Sequence, residues 1–465
     1  SSKMLNLINF KGDKFSYLRG KYPKFTYEKF GYKIQKNSLS ITFHYKISDI
    51  KFKPTVNIVG IDVSNFKNIE RAVLENFIFN LGLVEMISYW KATCSPIIKI
   101  TAGSLDQQQK NWWKNLLIQG LGEFFYQNRI NFKQEKFITI ESEGSNNLLK
   151  DMSDHQAQYL VLNGGGRDSA VTLEMLQELK KEGTILMLNP TLSSQALASI
   201  SPIGNNITVT REIDHKLPEL NSKGYLNGHT PFSAYLAFLS LLCALILDHN
   251  FIIISNERSA NEENIEFLGE KINHQYSKSF EFEKEFREYV SANLSENIKY
   301  FSLLRPLYEF QISKIFSNYP KYFDAFQSCN KKLVKNKWCG ECPKCLSTYI
   351  TLYPFLETEE LNKIFNKDLY ASTKLIDLLL HITGVREPKP FECVGTYEEL
   401  REGLKLSIKK FERSNQPLPF LLRYAMEKVL NKNYTQSKIL TSWDENNFLP
   451  HDLAQTLKAK IANEN

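Results

Sequence analysis

The sequence predicts an α/β protein whose central part is a doubly wound parallel sheet. Three observations indicate this fold class. After about residue 155, short apolar runs alternate with helical patterns. A glycine-rich segment, residues 163–169 (the glycine loop), separates the first run from the helical pattern behind it. Four closely spaced cysteines then precede a largely helical C-terminal part. Alternation of strands and helices is typical of parallel sheets, because crossover connections share one hand.

Composition indicates a folded globular chain. Hydrophobic residues make up 42% and charged residues 23% of the 465 residues, which excludes wholesale disorder. Lys and Arg (58) exceed Asp and Glu (51) by 7, and the charges are well mixed. This balance fits an anionic small-molecule substrate and argues against a nucleic-acid partner, which usually requires basic clusters. The first residues lack a signal-peptide pattern, so we expect a soluble cytoplasmic protein without a membrane partner. The oligomeric state stays open.

The first predicted domain, residues 1–150, is an α+β region. Alternating apolar residues predict a strand over 38–48. Helical spacing follows over about 68–90 and again over 109–129, where the aromatic residues are expected in the core. The polar stretch 136–155 predicts a linker to the next domain.

The second predicted domain, residues 151–328, contains the parallel sheet. Apolar runs at 158–163, 184–189, 207–211 and 251–255 predict its strands. The apolar stretch 231–247 is at the short limit for a membrane span, and we interpret it as a core helix. In such sheets, ligands bind beyond the carboxyl ends of the strands.

The glycine loop suits an anion. The unpaired N–H groups at a helix N-terminus attract negative charge, and Gly164, Gly165 and Gly166 allow close approach of a phosphate. Arg167 adds positive charge, Asp168 can face a phosphate-bound metal, and Ser169 can donate a hydroxyl. The loop lacks the Lys of a Walker A motif and the spacing of a dinucleotide fingerprint. The alternative is a tight strand–helix turn capped by Asp168.

Gly-Gly-x-Asp-Ser after a strand resembles the PP-loop of ATP pyrophosphatases, which cleave ATP to AMP and pyrophosphate. The resemblance implies ATP and Mg²⁺ as cofactors, with Asp168 near the metal. Asn189, which ends the next predicted strand, is expected to contribute to the nucleotide site. Gly164 stands where that signature usually has Ser, so one hydroxyl contact is absent.

The third predicted domain, residues 329–465, combines a four-cysteine element with a helical region. Three cysteines follow the spacing Cys-x2-Cys-x2-Cys, and a fourth lies upstream; the set is Cys329, Cys339, Cys342 and Cys345. Four thiolates in this pattern predict a closed, structural Zn²⁺ site, and an iron–sulfur cluster is the alternative.

Longer strings resemble one family, the UDP-N-acetyl-α-D-muramoyl-L-alanyl-L-glutamate epimerases (MurL), over roughly residues 70–400. They are ISYWKA (87–92), GLGEF (120–124), LNGHTP (226–231), SNERSAN (255–261), NHQYSKS (273–279), LRPL (304–307) and KPFECVG (389–395). One departure is Arg167, where we expect Lys.

The resemblance implies an ATP-dependent epimerase that converts the terminal L-Glu of UDP-MurNAc-L-Ala-L-Glu to D-Glu for peptidoglycan synthesis. The carboxylate would first become an acyl-adenylate, releasing pyrophosphate, and hydrolysis would later release AMP.

Inversion at Cα needs proton-transfer groups on two faces, or one mobile base. The family strings supply these candidates: Cys393, His229, His274, Glu257 and Lys278. Arg258, Lys278 and Arg305 are expected to hold a diphosphate or carboxylate, and Lys314 resembles a PP-loop lysine near the phosphates. For each of these residues the alternative is a purely structural role.

Two other functions fit the same residues. The first is an adenylate-forming PP-loop enzyme that amidates or thiolates a nucleobase or RNA, without exchange of an α-proton. The second is a nucleotide-binding module without catalytic activity, which the departures at Gly164 and Arg167 leave open.

Overall fold

The computed structural model describes residues 13–332, 335, 337–430 and 437–462. Eleven of its strands form one mixed sheet, and two form a separate hairpin. Within the described residues the strands are β1 (Lys24–Gln35), β2 (Ser38–Ile47), β3 (Ile50–Phe52), β4 (Thr55–Val59), β5 (Ile97–Ile100), β6 (Thr139–Ser142), β7 (Gln156–Leu162), β8 (Gly183–Leu188), β9 (Asn205–Glu212), β10 (His249–Ile254), β11 (Ile265–Phe267), β12 (Glu270–Ile272) and β13 (Lys299–Ser302).

Helices precede, connect and follow these strands. In the same described ranges they are α1 (Lys14–Lys21), α2 (Arg71–Glu85), α3 (Ile87–Trp90), α4 (Gln107–Gly120), α5 (Gly122–Gln127), α6 (Arg167–Glu178), α7 (Leu192–Ile200), α8 (Lys216–Ser222), α9 (Phe232–Leu247), α10 (Phe280–Asn293), α11 (Glu309–Phe316), α12 (Pro343–Leu352), α13 (Thr358–Phe365), α14 (Ile376–Ile382), α15 (Tyr397–Arg413), α16 (Phe420–Lys428) and α17 (His451–Ala462).

The strand order is β13-β10-β7-β8-β9-β4-β2-β1-β5-β6, with β3 paired to β2. The five strands from β13 to β9 run parallel, as do β1, β5 and β6. Antiparallel pairs join β9 to β4, β4 to β2 and β2 to β1. A mixed α/β fold with a sheet rich in parallel strands is therefore confirmed, and so is the helical C-terminal part.

The two faces of the parallel strands contribute to two hydrophobic cores. Leu160 and Ile252 belong to the core that contains α2, α9 and α10. The next residues along each strand, Val161 and Ile253, belong to the core that contains α6, α7, α11 and α12. Side chains alternate across a strand, so near-continuous apolar runs such as QYLVL are expected where both faces are covered.

The sheet crosses the predicted boundary at residue 150, because β4 pairs with β9. The domain boundaries at 150 and 328 stay a prediction. The expected linker 136–155 needs a correction, since Thr139–Ser142 form an edge strand parallel to β5. The strand has only four residues and lies in a polar stretch, so the sequence pattern did not indicate it.

The apolar stretch 231–247 forms α9, a buried core helix, as predicted. A second helical stretch, residues 71–90, is long and apolar enough to cross a membrane. However, 89% of its most apolar window is buried inside the fold. A core helix passes the same test of length and composition, so this stretch is weak support for a membrane span.

The direction of chain progression reverses beside β7. The chain proceeds from β7 to β8 and β9 on one side, and then returns to place β10 on the other side of β7. Both strands end at the same edge, at Leu162 and Ile254. Such a switch point leaves a crevice between the two following loops, where open α/β sheets bind their ligands.

Candidate active site and four-cysteine centre

The glycine loop turns sharply from β7 into α6. Gly165 has φ +84°, and a Cβ there would lie 2.4 Å from Ser193 Oγ, so the turn requires glycine. Asn163 fixes the loop by accepting from the Gly165 N–H at 2.9 Å and donating to Ser194 O at 2.9 Å. A Cβ on Gly164 would meet no atom within 4 Å, so this glycine borders open space.

A cavity of about 430 Å³ lies at the switch point and is called the switch-point cavity. Residues from the glycine loop, from the segment after β10 and from distant parts of the chain line it. Those used below are Gly164, Gly166, Arg167, Asp168, Ser169, Glu257, Lys278, Gln327, Ser328, Asn330, Lys344, Thr348 and Cys393. The structure therefore brings the predicted nucleotide loop and three of the predicted proton-transfer residues to one cavity.

Arg167 is buried and held by carboxylates. Its guanidinium contacts Asp168 Oδ1 at 2.8 Å and Glu309 Oε1 at 2.9 Å, and it donates to Ser313 Oγ at 2.8 Å. Lys344 Nζ also reaches Glu309 Oε1, at 3.1 Å. Arg167 thus orients Asp168 at the first turn of α6, and the Gly164 N–H donates to Ser169 Oγ at 3.2 Å in the same turn.

Lys278 and Cys393 form a close pair on the cavity wall. Lys278 Nζ donates to Cys393 Sγ at 3.1 Å. The charge of Cys393 raises the pKa of Lys278, even though burial opposes this. Lys278 is therefore held as an ammonium whose Nζ donates to the Cys393 sulfur. Burial, together with the charges of Asp168 and Glu309, raises the pKa of Glu257 to about 7.

His229 and His274, called the histidine pair, have ring centroids 6.0 Å apart, and neither is among the residues that line the switch-point cavity. Asn264 Oδ1 lies 2.9 Å from His274 Nδ1, and because an amide oxygen only accepts, Nδ1 carries the proton. Among the described residues, His274 Nε2 has no hydrogen-bond partner and is buried. His274 therefore presents a free lone pair at Nε2.

Both imidazoles are held neutral. Burial, reinforced by His229, Lys278 and Lys389, lowers the pKa of His274 to about 2. Burial, reinforced by Lys278 and Lys91, lowers the pKa of His229 to about 4. Its Nδ1 lies 3.5 Å from Glu123 Oε2.

The remaining predicted ligands lie away from the lining of the switch-point cavity. Asn189 bonds to the backbone of Arg211 at the surface, with its Oδ1 accepting from the Arg211 N–H at 2.9 Å. Arg258 donates to Ser442 Oγ at 2.9 Å, and its guanidinium stacks over the Tyr308 ring. Lys314 lies on α11 and is also absent from the lining.

Arg305 is completely buried. It donates to Glu283 Oε2 at 2.8 Å and to Glu257 O at 3.1 Å. Arg305 therefore holds the backbone of Glu257, a residue that lines the cavity. The roles predicted for these four residues stay predictions.

Sequence reasoning missed several residues of this region. Lys344 and Glu309 join the charge network of the glycine loop, and Asn264 sets the proton position of His274. Glu123, whose pKa burial raises to about 7, faces His229. Glu123 lies inside the GLGEF string, and Lys344 lies between two of the four cysteines. Their positions within these motifs could therefore have marked both residues as candidates.

The four predicted cysteines converge, and their Sγ atoms all lie within 4.8 Å of one another. Cys339 and Cys345 Sγ are 3.7 Å apart, and Cys342 and Cys329 Sγ are 4.0 Å apart. Four sulfurs around a tetrahedral ion with bonds of about 2.3 Å are separated by about 3.8 Å. The geometry therefore fits a bound metal ion.

Backbone N–H groups surround the sulfurs of this four-cysteine cluster. Cys345 N donates to Cys342 Sγ and Gly340 N to Cys345 Sγ, both at 3.4 Å, and Glu341 N donates to Cys339 Sγ at 3.3 Å. Such donors stabilise thiolates, the form that binds a metal. Gly340, with φ +70°, allows the tight turn between the first two cysteines of the motif.

The chain matches two family models along most of its length. A model described as the MurL N-terminal domain matches residues 17–303, and one described as the MurL C-terminal domain matches residues 325–437. This chain belongs to the MurL family. The matched ranges include the glycine loop, the histidine pair, Lys278, the four-cysteine cluster and Cys393.

Three curated relatives agree with the MurL assignment, and each is named UDP-N-acetyl-alpha-D-muramoyl-L-alanyl-L-glutamate epimerase. The protein from Xanthomonas oryzae pv. oryzae is 29% identical over 391 residues, 82% of this chain and 85% of the relative. The protein from Micromonospora sp. is 31% identical over 342 residues, or 73% and 76%. The protein from Salinispora tropica is 32% identical over 282 residues, or 60% and 62%.

Proposed function

We propose that this MurL protein is a cytoplasmic, ATP-dependent epimerase that inverts the terminal L-Glu of UDP-MurNAc-L-Ala-L-Glu to D-Glu in peptidoglycan precursor synthesis. One observation carries the proposal: the switch-point cavity joins the glycine loop to the Lys278–Cys393 pair. A phosphate-binding loop and a pair suited to proton transfer thus meet in one space. The names of the three relatives support the same reaction and substrate.

Adenylation explains why an epimerase needs a nucleotide loop. The Cα–H of a glutamate carboxylate is a very weak acid, because its removal places a second negative charge beside the first. Attack of the carboxylate on ATP forms an acyl-adenylate and releases pyrophosphate. The α-proton of this ester-like group is far more acidic, and nearby donors can stabilise the enolate. Hydrolysis after inversion releases AMP.

The glycine loop is of the PP-loop type in this proposal, and its N–H groups hold the ATP phosphates at the start of α6. The carboxylates of Asp168 and Glu257 line the same cavity and would hold Mg²⁺ beside them. Mg²⁺ would neutralise phosphate charge during the transfer. Arg167 fixes Asp168 through the contact at 2.8 Å.

We assign the two proton-transfer groups to His274 and Cys393. His274 Nε2, with its free lone pair, removes the α-proton of the L-substrate. The negative charge that develops on the enolate stabilises the resulting imidazolium, which the substrate-free site disfavours. The Cys393 thiol then donates a proton to the opposite face of Cα. The resulting thiolate is stabilised by the Lys278 ammonium at 3.1 Å. Exchange with solvent restores both groups.

The four-cysteine cluster is proposed to bind Zn²⁺ in a structural role. Four sulfurs within 4.8 Å fit a single tetrahedral ion, whereas a four-iron cluster would hold its cysteines farther apart. A closed set of four thiolates leaves no position for substrate, so the ion would contribute to folding rather than to chemistry.

The alternative function, amidation or thiolation of a nucleobase or RNA, is less well supported. A sulfur-transfer enzyme needs accessible thiols, but four cysteines converge in the cluster, and Cys94 and Cys243 are fully buried. Cys393 is the remaining thiol, and its partner is Lys278.

The test uses UDP-MurNAc-L-Ala-L-Glu, ATP and Mg²⁺ in D₂O. Mass and chirality at the glutamate Cα are measured together with AMP and pyrophosphate. We expect deuterium uptake and D-Glu only when ATP is present. Pyrophosphate release without exchange at Cα would reject the epimerase and retain an adenylating enzyme.

A further inference from the structure

The segment that carries the four-cysteine cluster also forms one wall of the switch-point cavity. Five lining residues come from this segment: Gln327, Ser328, Asn330, Lys344 and Thr348. The Gln327 N–H donates to Gly165 O at 2.9 Å, and a Cβ on Gly166 would lie 3.9 Å from Ser328 Cβ. The segment that carries the cluster is therefore joined to the glycine loop by a direct hydrogen bond.

Lys344 lies between two cysteines of the cluster, at the start of α12. Cys342 caps this helix, because its Sγ accepts from the Cys345 N–H at 3.4 Å. The positive end of a helix dipole disfavours a cation, so helix stability does not explain a lysine at this position. The cysteines that would bind the metal thus hold Lys344 at a helix position that disfavours positive charge. A residue kept at a position that its local structure disfavours is typical of a functional site.

The Lys344 ammonium faces the cavity, and its side chain is 13% exposed. In the described part of the chain, Glu309 is its one ion-pair partner, and that Glu309 oxygen also contacts Arg167 at 2.9 Å. An ammonium has three N–H donors, so contact with one carboxylate oxygen leaves donors for a ligand. Asp168 and the glycine loop line the same space.

We propose that Lys344 binds the phosphates of ATP and that the four-cysteine cluster holds it in place. The inference rests on the proposed function, since it takes ATP as the occupant of the cavity. The phosphate site then has two sides, with N–H groups of the glycine loop on one and a point charge from the metal-binding segment on the other.

The experiment compares binding of ATP with binding of adenosine, which lacks phosphates, by isothermal titration calorimetry. Wild type, Lys344→Met and Lys344→Arg are measured at equal zinc content. The matched control is Lys363→Met, since Lys363 lies on α13, is 75% exposed and does not line the cavity. We expect Lys344→Met to bind ATP about 10- to 100-fold more weakly with adenosine unchanged, and Lys344→Arg to bind with intermediate affinity.

Two results would overturn the inference. Equal ATP affinity in wild type and Lys344→Met would mean that Lys344 contacts only Glu309. Parallel losses for ATP and adenosine would mean that the lysine supports the fold of the cavity. If Lys344→Met fails to fold, the same comparison is made with Lys344→Gln. Wild-type protein that binds neither compound would reject the nucleotide site itself, and with it the proposed function.

Discussion

Two buried histidine environments in this molecule differ in almost every respect. His155 lies between two carboxylates, with Nε2 2.8 Å from Asp151 and Nδ1 2.9 Å from Asp248. Ser295 Oγ also donates to Asp151, at 2.7 Å. These four residues are called the His155 clamp. In the histidine pair, by contrast, His274 Nε2 and His229 Nδ1 have no hydrogen-bond partner among the described residues.

The electrostatics follow from the partners. In the clamp, burial lowers the pKa of His155, but the two carboxylates outweigh it and the net pKa is raised. In the histidine pair no carboxylate compensates burial to this extent, and both pKa values are lowered. Complete satisfaction of donors and charges is typical of structural networks, whereas unpaired buried groups require another explanation. The comparison therefore indicates a structural role for the clamp and supports the role in proton transfer that we propose for His274.

The largest expected effect distinguishes the two proposed proton-transfer groups, His274 and Cys393. In D₂O with ATP, His274→Gln should reduce α-proton exchange of the L-substrate about 100- to 10,000-fold, the range of general acid–base catalysis. Cys393→Ala should still exchange the L-substrate but should not invert it. With the D-product and ATP, Cys393→Ala should lose α-proton exchange and His274→Gln should retain it. Mass and chirality at Cα measure both.

The matched control is His215→Gln, since the His215 side chain is 85% exposed. It should retain wild-type exchange. Full exchange and inversion by His274→Gln would reject His274 as the base. The unpaired atoms of the histidine pair would then need an explanation other than catalysis.

The second prediction concerns the clamp. His155→Leu leaves the buried Asp151 carboxylate without its cationic partner, and we expect the free energy of unfolding to fall by about 3 kcal/mol. Activity per folded molecule should be unchanged, because none of the four clamp residues lines the switch-point cavity. Urea denaturation and the exchange assay measure the two quantities. If His155→Leu kept normal stability but lost α-proton exchange, the clamp would have a functional role and not a structural one.

The features that sequence predicted well are local ones. The glycine loop and the cysteine motif each consist of neighbours in the chain, and their spacing alone limits their geometry. The strands that follow the loop were also predictable, because burial on both faces produces apolar runs such as FIII at 251–254.

The features that sequence missed depend on contacts between distant segments. Asp151 and His155 lie in the stretch predicted as a linker, and Asp248, the second partner of His155, is 93 residues away from it. The ion pair between Arg305 and Glu283, both of which are buried, also joins residues that are distant in the sequence. The sequence does not distinguish a charged residue that binds a ligand from one that forms a buried ion pair. Only the burial and the partners of the side chain distinguish them.

The third prediction uses pH to compare the two environments in one protein. An unfolded histidine has a pKa of about 6.5. Because the folded pKa of His274 is about 2, acidification below about pH 6.5 protonates the unfolded state alone and lowers stability. The His155 pKa is raised instead, so its contribution is complete below about pH 6.5 and is lost as pH rises through its folded pKa.

Unfolding free energies at pH 7 and pH 5 therefore separate the variants. His274→Gln should lose about 2 kcal/mol less than wild type on acidification, since it removes one unfavourable titration. His155→Leu should lose more than wild type. Equal losses in all three proteins would mean that the two environments do not differ in charge.

The smallest expected effect comes from making one environment resemble the other. Asn264→Asp replaces the neutral acceptor at His274 Nδ1, 2.9 Å away, by a carboxylate like those of the clamp. The new charge should raise the pKa of His274 and recover about 1 kcal/mol of the stability lost at pH 5. The Asn264 amide also donates to Pro390 O at 2.8 Å, so the loss of that donor offsets part of the gain. NMR titration of the imidazole measures the pKa directly, with Asn264→Ser as the uncharged control. If the pKa stays low in Asn264→Asp, burial alone determines the charge of His274, and the missing carboxylate is not what distinguishes the pair from the clamp.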